Sequence, residues 1–358
     1  MLPSIPIVRA KEQDSWATMK PLPMSSWDIV GFNDKIYAIA GSGTFNNKTY
    51  SNTAVLEFDP QENTWTVKNP MPFSRNNFAT AVYKNKIYVI GGLDGVNQVY
   101  DPSTDTWETK TPMPTPRKQL NAHTVNGKIY FIGGRTGGQY STVDLNEVYD
   151  PETDSWTTKT PIPYPVVLYA SVVFNNKIFI IGGQDEYIYP GNLDTVQIYN
   201  PANDTWSFGT PMSTLVFQAV AGATSGKLAT KRIYVIGGLL EKSLIGTNIN
   251  QVYNPENDSW TTGAFMPTAR FNSHIAVVQD KLYVMGGLPY FNVQGDYCFE
   301  NEEYTPIGYG TNPQPTPSSS LPPESESDFP IIQLLSIALT VIIGLGILAY
   351  SMRKRRTK

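Results

Sequence analysis

Tyr149-Asp150-Pro151-Glu152-Thr153-Asp154-Ser155-Trp156, followed by Pro161-Ile162-Pro163, decides the fold because it is one of a set. Phe58-Asp59-Pro60 precedes Trp65 and Pro70-Met71-Pro72, and Tyr100-Asp101-Pro102 precedes Trp107 and Pro112-Met113-Pro114. Tyr199-Asn200-Pro201 precedes Trp206 and Pro211-Met212, and Tyr253-Asn254-Pro255 precedes Trp260 and Met266-Pro267. In every copy the Trp stands five residues after the Pro, while the step from Trp65 to Trp260 drifts through 42, 49, 50 and 54 residues. A fixed internal distance inside a drifting period marks a structural repeat with variable loops.

Upstream of each Tyr/Phe-x-Pro lies an apolar run ending in paired glycines: Ile87 to Gly91-Gly92, Ile129 to Gly133-Gly134, Ile178 to Gly182-Gly183, Ile233 to Gly237-Gly238 and Leu282 to Gly286-Gly287. A degenerate first copy runs from Ile36 to Ala40-Gly41. These runs are β-branched and aromatic, too short for helices and bounded by turn residues, so they read as strands. Being apolar on both faces, they need a sheet packed on each side. The paired glycines suit positive φ or a close backbone approach. Each unit thus holds four short strands: a leading strand such as Phe78 to Tyr83, the Gly-Gly strand, the Tyr-x-Pro strand and the Trp strand. Four-stranded sheets repeated radially make a β-propeller.

Gly-Gly, then Tyr-Asp-Pro, then Trp at this spacing resembles the kelch repeat, over about residues 14 to 306. The count implies six blades. The last Gly-Gly unit reaches Tyr304-Thr305-Pro306 and then lacks a Trp, whereas Asp14-Ser15-Trp16 with Pro21-Leu22-Pro23 is a Trp strand without a Gly-Gly before it. The expectation is an all-β, six-bladed kelch propeller over residues 11–310, closed by its N-terminal strand, which removes two open sheet edges.

Composition agrees. Only 16% of residues are charged, and 28 Gly with 28 Pro suit a turn-rich β-protein. One cysteine, Cys298, excludes an internal disulfide framework; on a strand it reads as a small core hydrophobe. Residues 311–328, with five Pro and five Ser, cannot build a core and read as an extended stalk. Ile331 to Tyr350 then runs uncharged for twenty residues, which predicts a transmembrane helix over 329–352; Gly344 and Gly346 are tolerated in such helices. Arg353, Lys354, Arg355, Arg356 and Lys358 make 353–358 a basic tail, opposite Glu324, Glu326 and Asp328 on the other flank. The positive-inside rule places the tail in the cytoplasm and the propeller outside. Without those five basic residues the chain carries 22 basic and 31 acidic side chains, which argues against nucleic acid as a partner. Residues 1–10 lack a signal peptide's basic start and apolar run, yet Val8-Arg9-Ala10 resembles the end of a cleavage site; a remnant of a signal and an ordinary terminus both fit. A tail-anchored protein with a cytoplasmic propeller would explain the missing signal but breaks the charge rule. The sequons at Asn47, Asn203 and Asn257 become usable outside.

Antiparallel strands alternate direction, so the loops between second and third strands emerge on the same face as the loops between blades. The first set varies most: Ser42–Asn52, Leu93–Val96, Arg135–Asn146, Gln184–Thr195, Leu239–Asn250 and Leu288–Tyr297. Variable loops on a rigid scaffold are where binding usually sits, and they carry Tyr50, Tyr140, Tyr187 and Tyr290, with loop packing as the plainer reading of any single ring. Arg75, Arg117 and Arg270 share one position after the Pro-x-Pro signal, with Met24, Val166 and Val216 in the other blades. Kelch adaptors that hold acidic peptides use arginines at the matching position, so the resemblance implies a carboxylate-bearing ligand; structural pairing is the competing role. Resemblance to kelch copper-radical oxidases implies two His, two Tyr and a crosslinked Cys, and this chain has only His123, His274 and Cys298, without the local motifs. Kelch epimerases that act on sialic acid use charged groups in a central funnel, and no acid–base pair stands out in the sequence. There is no P-loop, zinc spacing or nucleophile motif, so neither metal nor cofactor is expected. The reading is a membrane-anchored, cell-surface kelch module that binds protein or glycan, with a sugar-modifying enzyme as the alternative.

Overall fold

The computed structural model describes residues 13–26, 28–92, 94–137, 141–185, 191–241, 243–290 and 297–311. The chain divides into two units, Met1–Gln314 and Pro315–Lys358, and the second lies wholly outside the described residues. The terminus 1–10, the helix 329–352 and the tail 353–358 therefore lie outside them, as does all of the stalk except Thr311. Among the described residues there is no helix, and so none long and apolar enough to cross a membrane.

Six four-stranded antiparallel sheets form the propeller. Blade 1 comprises Asp28–Phe32, Lys35–Phe45, Lys48–Asp59 and Thr64–Lys68; blade 2, Phe78–Tyr83, Lys86–Gly91, Asn97–Asp101 and Thr106–Lys110. Blade 3 comprises Ala122–Val125, Lys128–Ile132, Asn146–Asp150 and Ser155–Lys159; blade 4, Ala170–Phe174, Lys177–Ile181, Val196–Asn200 and Thr205–Gly209. Blade 5 comprises Val220–Ala223, Ile233–Ile236, Asn250–Asn254 and Ser259–Thr262. Blade 6 takes His274–Val278, Lys281–Met285 and Asn301–Thr305 from the end of the domain and Ser15–Met19 from its start. The closing register pairs Ser15 with Thr305 and Met19 with Asn301. The leading strands contact one another in turn around the ring, so they form its inner wall.

The leading hairpins turn on residue pairs that accept positive φ: Asn33-Asp34, Lys84-Asn85, Asn126-Gly127, Asn175-Asn176 and Gln279-Asp280. Two consecutive left-handed residues give a type I′ turn, whose twist matches the strands. Blade 5 replaces that turn with residues 224–232, which the Asp280 carboxylate holds by accepting from the backbone N–H groups of Ser225 (2.6 Å), Leu228 (2.8 Å) and Ala229 (3.1 Å). The Gly-Gly strands are buried on both faces as their composition requires. Their glycines are forced by proximity: Gly237 has φ +69°, and a Cβ there would stand 2.6 Å from the Arg270 carbonyl oxygen, where the next blade docks.

The Tyr-x-Pro…Trp signature proves to be a clasp between blades. Each Trp ring lies against the aromatic of the adjoining strand, Tyr149 with Trp156 at 5.1 Å and Tyr199 with Trp206 at 5.0 Å. Its indole N–H donates to a carbonyl of the preceding blade: Trp65 to Lys20, Trp107 to Asn69, Trp156 to Thr111, Trp206 to Thr160, Trp260 to Thr210 and Trp16 to Ala264. The same six residues return a backbone N–H to the turn side chain two positions before the Trp: Asn63, Asp105, Asp154, Asp204, Asp258 and Asp14. The Tyr hydroxyl donates to that carboxylate as well, at 2.6 Å for Tyr149 to Asp154 and, across the closure, 2.6 Å for Tyr304 to Asp14. Six clasps thus join the blades, that of blade 1 with Phe58 and Asn63 in place of the Tyr and Asp, and the N-terminal segment supplies the Trp of the sixth.

Candidate functional site

The loops between second and third strands share one face with the loops between blades, because the Gly-Gly ends and the Pro-x-Pro segments meet there. The arginines expected to ring this opening are turned into the blades. Arg117 and Arg270 are 0% exposed and Arg75 is 5% exposed. Arg117 donates to the carbonyls of Gly133 (2.6 Å), Leu145 (3.1 Å) and Phe131 (3.3 Å) and to the Glu147 carboxylate (2.9 Å). Arg270 repeats this with Gly286 (3.3 Å), Glu300 (3.0 Å), Val284 (3.1 Å) and the Glu302 carboxylate (2.6 Å). Arg75 reaches the carbonyls of Val96 and Val89. Burial pushes each guanidinium below its ordinary pKa, that of Arg75 to about 10. The arginines therefore brace the end of the Gly-Gly strand against the start of the next strand, within one blade. Meanwhile the Arg117 and Arg270 carbonyls accept the N–H groups of Gly92 and Gly238 in the preceding blades. This is the structural role, with the bond network inside the blade as well as between blades.

Of the four tyrosines, Tyr50 is buried within the blade 1 hairpin, in the core cluster with Leu22 and Met24, Tyr290 is exposed, and Tyr140 and Tyr187 lie outside the described residues. The loops of blades 5 and 6 join on this face: Ile245 pairs with Tyr290, and the Gly246 N–H donates to the Pro289 carbonyl at 2.8 Å. On the joined loops Leu244 and Ile245 are each 65% exposed and Tyr290 43%. These apolar side chains are exposed on two loops that a backbone pairing joins.

A second feature lies inside the opening. Asp28, the first residue of the blade 1 leading strand, accepts the Thr80 N–H (2.9 Å) and hydroxyl (2.8 Å) from blade 2. From blade 6, His274 Nδ1 stands 3.8 Å from its other oxygen. Burial raises the Asp28 pKa from 3.8 to about 6, with the Thr80 and Ile29 hydrogen bonds opposing, and lowers that of His274 from 6.5 to about 4. At neutral pH the carboxylate is ionised beside a neutral imidazole. On the far side of the ring, His123 is hydrogen-bonded to the Ser171 hydroxyl at 2.7 Å, and burial lowers its pKa to about 4 as well. Cys298 is buried, and among the described residues no group of three His, Cys, Asp or Glu side chains could hold a metal ion.

Family models match this chain through the domain described as the KLHDC2/KLHL20/DRC7 Kelch-repeats domain, over residues 26–238 and 98–287. The chain belongs to the kelch-repeat family. It is 33% identical to the human Kelch repeat and BTB domain-containing protein 12 over 100 residues, which is 24% of this chain and 15% of that protein. It is 40% identical to the Kelch-like protein terF of Aspergillus terreus over 76 residues, 19% of this chain and 17% of that one. The matched stretches thus span well under a fifth of these relatives. Among solved structures, that titled "Structure of YjhT" superposes with a TM-score of 0.64 at 18% identity, covering 79% of this chain and 95% of that one, a likeness of fold.

In this kelch ring the Asp28–His274 pair was the feature that sequence reasoning missed. The signal existed: the register that Asp28 and His274 hold in their own blades falls to Ala79, Ala170 and Val220 in three others and to Asn121, just ahead of the paired Ala122, in blade 3, so Asp28 is the one acid among the six. An ionised carboxylate held with its pKa near 6 is one the fold would rather keep protonated. Its ionisation therefore costs stability above pH 6, and the cost disappears as pH falls towards 4. At 1.36 kcal/mol per pKa step, discounted for a side chain 27% exposed, that cost is about 2 kcal/mol. Asp28→Asn, which still accepts from Thr80, is expected to raise the melting temperature at pH 7.5 by several degrees and to lose this advantage by pH 4. Calorimetry at both pH values checks it; an Asn variant less stable at pH 7.5 would refute the assignment.

Proposed function

We propose that this kelch propeller is a binding module, anchored to the membrane by residues 329–352 and displayed outside the cell, that takes a protein or glycan ligand on the face carrying its variable loops. The observation that carries the reading is the joined pair of loops from blades 5 and 6, on which Leu244, Ile245 and Tyr290 are exposed. Exposed apolar groups of this kind are where partners dock, and aromatic anchors dominate interface energetics. The strand order supports the display: Asn301–Thr305 runs away from the loop face, so the chain leaves the ring at Thr311 on the opposite side. Since Arg117 and Arg270 are spent inside the blades, the recognition surface is apolar and aromatic rather than a ring of cations.

The test is capture of surface proteins and glycans with the propeller, followed by titration of the captured ligand. Ile245→Asp and Tyr290→Ala are each expected to weaken binding about tenfold or more, a loss of about 1.4 kcal/mol, without shifting the melting temperature. Unchanged affinity in both variants would remove the loop face from the reading. The Asp28–His274 pair favours a second reading, a sugar-modifying enzyme working in the ring opening, because a pKa-perturbed acid beside an imidazole suits proton transfer. Turnover of a sugar that Asp28→Asn abolishes while the loop variants retain it would decide for the enzyme.

A further inference from the structure

We infer that Asn203 and Asn257 are N-glycosylated, so that the face opposite the loops is a sugar-covered surface closed to protein partners. The inference rests on the propeller lying outside the cell. Both asparagines sit in the tight turn between the third and fourth strands, in the neighbouring blades 4 and 5, and both are exposed. In each the hydroxyl two residues on donates to the asparagine's own side-chain carbonyl: Thr205 to Asn203 at 2.7 Å and Ser259 to Asn257 at 2.6 Å. That bond orients the amide and leaves its nitrogen without a described partner. Asn47 differs, because the hydroxyl of its Thr49 is engaged by Thr44 at 3.0 Å, on the loop face.

The turn does not require asparagine. In blades 2 and 3 the same position is Thr104 or Thr153, and hydroxyl pairs with Thr106 and Ser155, both at 2.7 Å, make the same link. The two asparagines therefore create acceptors where the fold would be served by threonine. The chemistry is glycosyl transfer from a lipid diphosphate-linked sugar: the amide nitrogen attacks the anomeric carbon, the bond from that carbon to the diphosphate breaks, the lipid diphosphate departs, and the amide proton passes to a base of the transferase. A glycan at either turn projects from the far side of the blades and leaves Leu244, Ile245 and Tyr290 uncovered.

The experiment uses the full chain purified from the cells that make it, with peptide mass spectrometry across both turns and, in parallel, protease added to intact cells. The expected result is a sugar mass on each of the two peptides, with Asn203→Gln and Asn257→Gln each removing one and leaving the melting temperature unchanged. External protease that releases the propeller while both peptides keep their bare masses overturns the modification alone. A propeller sheltered until the cells are lysed overturns the outside placement and the modification with it. Sugar confined to Asn47 overturns the assignment of the covered face.

Discussion

Deleting residues 1–19 is expected to lower the melting temperature of the propeller by ten degrees or more and to make it associate. The deletion removes the outer strand of blade 6, with its five-residue register from Ser15 to Met19, and leaves Asn301–Thr305 as an open edge. It also removes one whole clasp. Trp16 no longer donates to the Ala264 carbonyl (2.8 Å), and Asp14 no longer accepts from the Ala264 N–H (2.6 Å) and the Tyr304 hydroxyl (2.6 Å). Each hydrogen bond contributes about 1 kcal/mol net, and covering the Trp16 and Tyr304 rings adds about 2 kcal/mol more. The sum is comparable with the roughly 5–15 kcal/mol that holds a domain folded. The freed edge is a template for pairing with another chain. Thermal melts and size-exclusion chromatography of the two forms make the measurement; equal midpoints and a monomeric deletion would mean that the closure contributes little.

Arg270→Ala is the second large effect, on stability rather than on a ligand. Removing the guanidinium leaves the Glu302 carboxylate, which is 2% exposed, with the Thr268 hydroxyl (2.7 Å) but without its cation, and takes a donor from the carbonyls of Val284 and Glu300. Breaking a buried pair by deleting one partner costs about 3–5 kcal/mol. Burial already raises the Glu302 pKa, with Arg270 as the main opposing influence. Without the arginine that pKa climbs further, so the variant's ionised carboxylate is the costly form and protonation relieves it. The deficit should therefore shrink as pH falls and be largest near neutrality. Arg270→Met combined with Glu302→Gln is expected to recover much of the loss. Arg75→Ala is expected to cost less, because the groups that Arg75 binds are the neutral carbonyls of Val89 and Val96. Denaturant melts of the three variants across pH decide the matter. Full stability in Arg270→Ala would refute the bracing role.

The fold was legible because its information is local. A Trp five residues after a Pro, paired glycines at the end of an apolar strand and an orphan Trp strand at the start of the chain are all visible without a partner in space. The clasp was half visible: Asp154 stood in the quoted stretch, but that its carboxylate accepts from Thr111 of another blade requires the ring. The direction of the arginines could have been read from their equivalents. Met24, Val166 and Val216 fill the matching places, and all three are buried, so the position belongs to the core and a guanidinium there must find partners inside. Asp28 was hidden for a different reason. Its neighbours Thr80 and His274 come from blades at opposite ends of the chain, and only closure of the ring brings them together.

Closure also orders events in time. Five of the six clasps are made by a Trp reaching back to a residue that precedes it in the chain, beginning with Trp65, which takes hold of Lys20 beside the closing strand. Each of these can form as soon as its own blade has been synthesised. The sixth runs the other way: Trp16, which precedes every other strand of the ring, must wait for Ala264 and for the strand Asn301–Thr305. At ~5–20 residues per second, the stretch from residue 20 to residue 300 takes roughly 15–60 s to emerge from the ribosome. Throughout that interval Trp65 keeps the waiting strand tethered to blade 1, and the propeller is an open arc whose last link joins the first-made strand of the ring to the last-made.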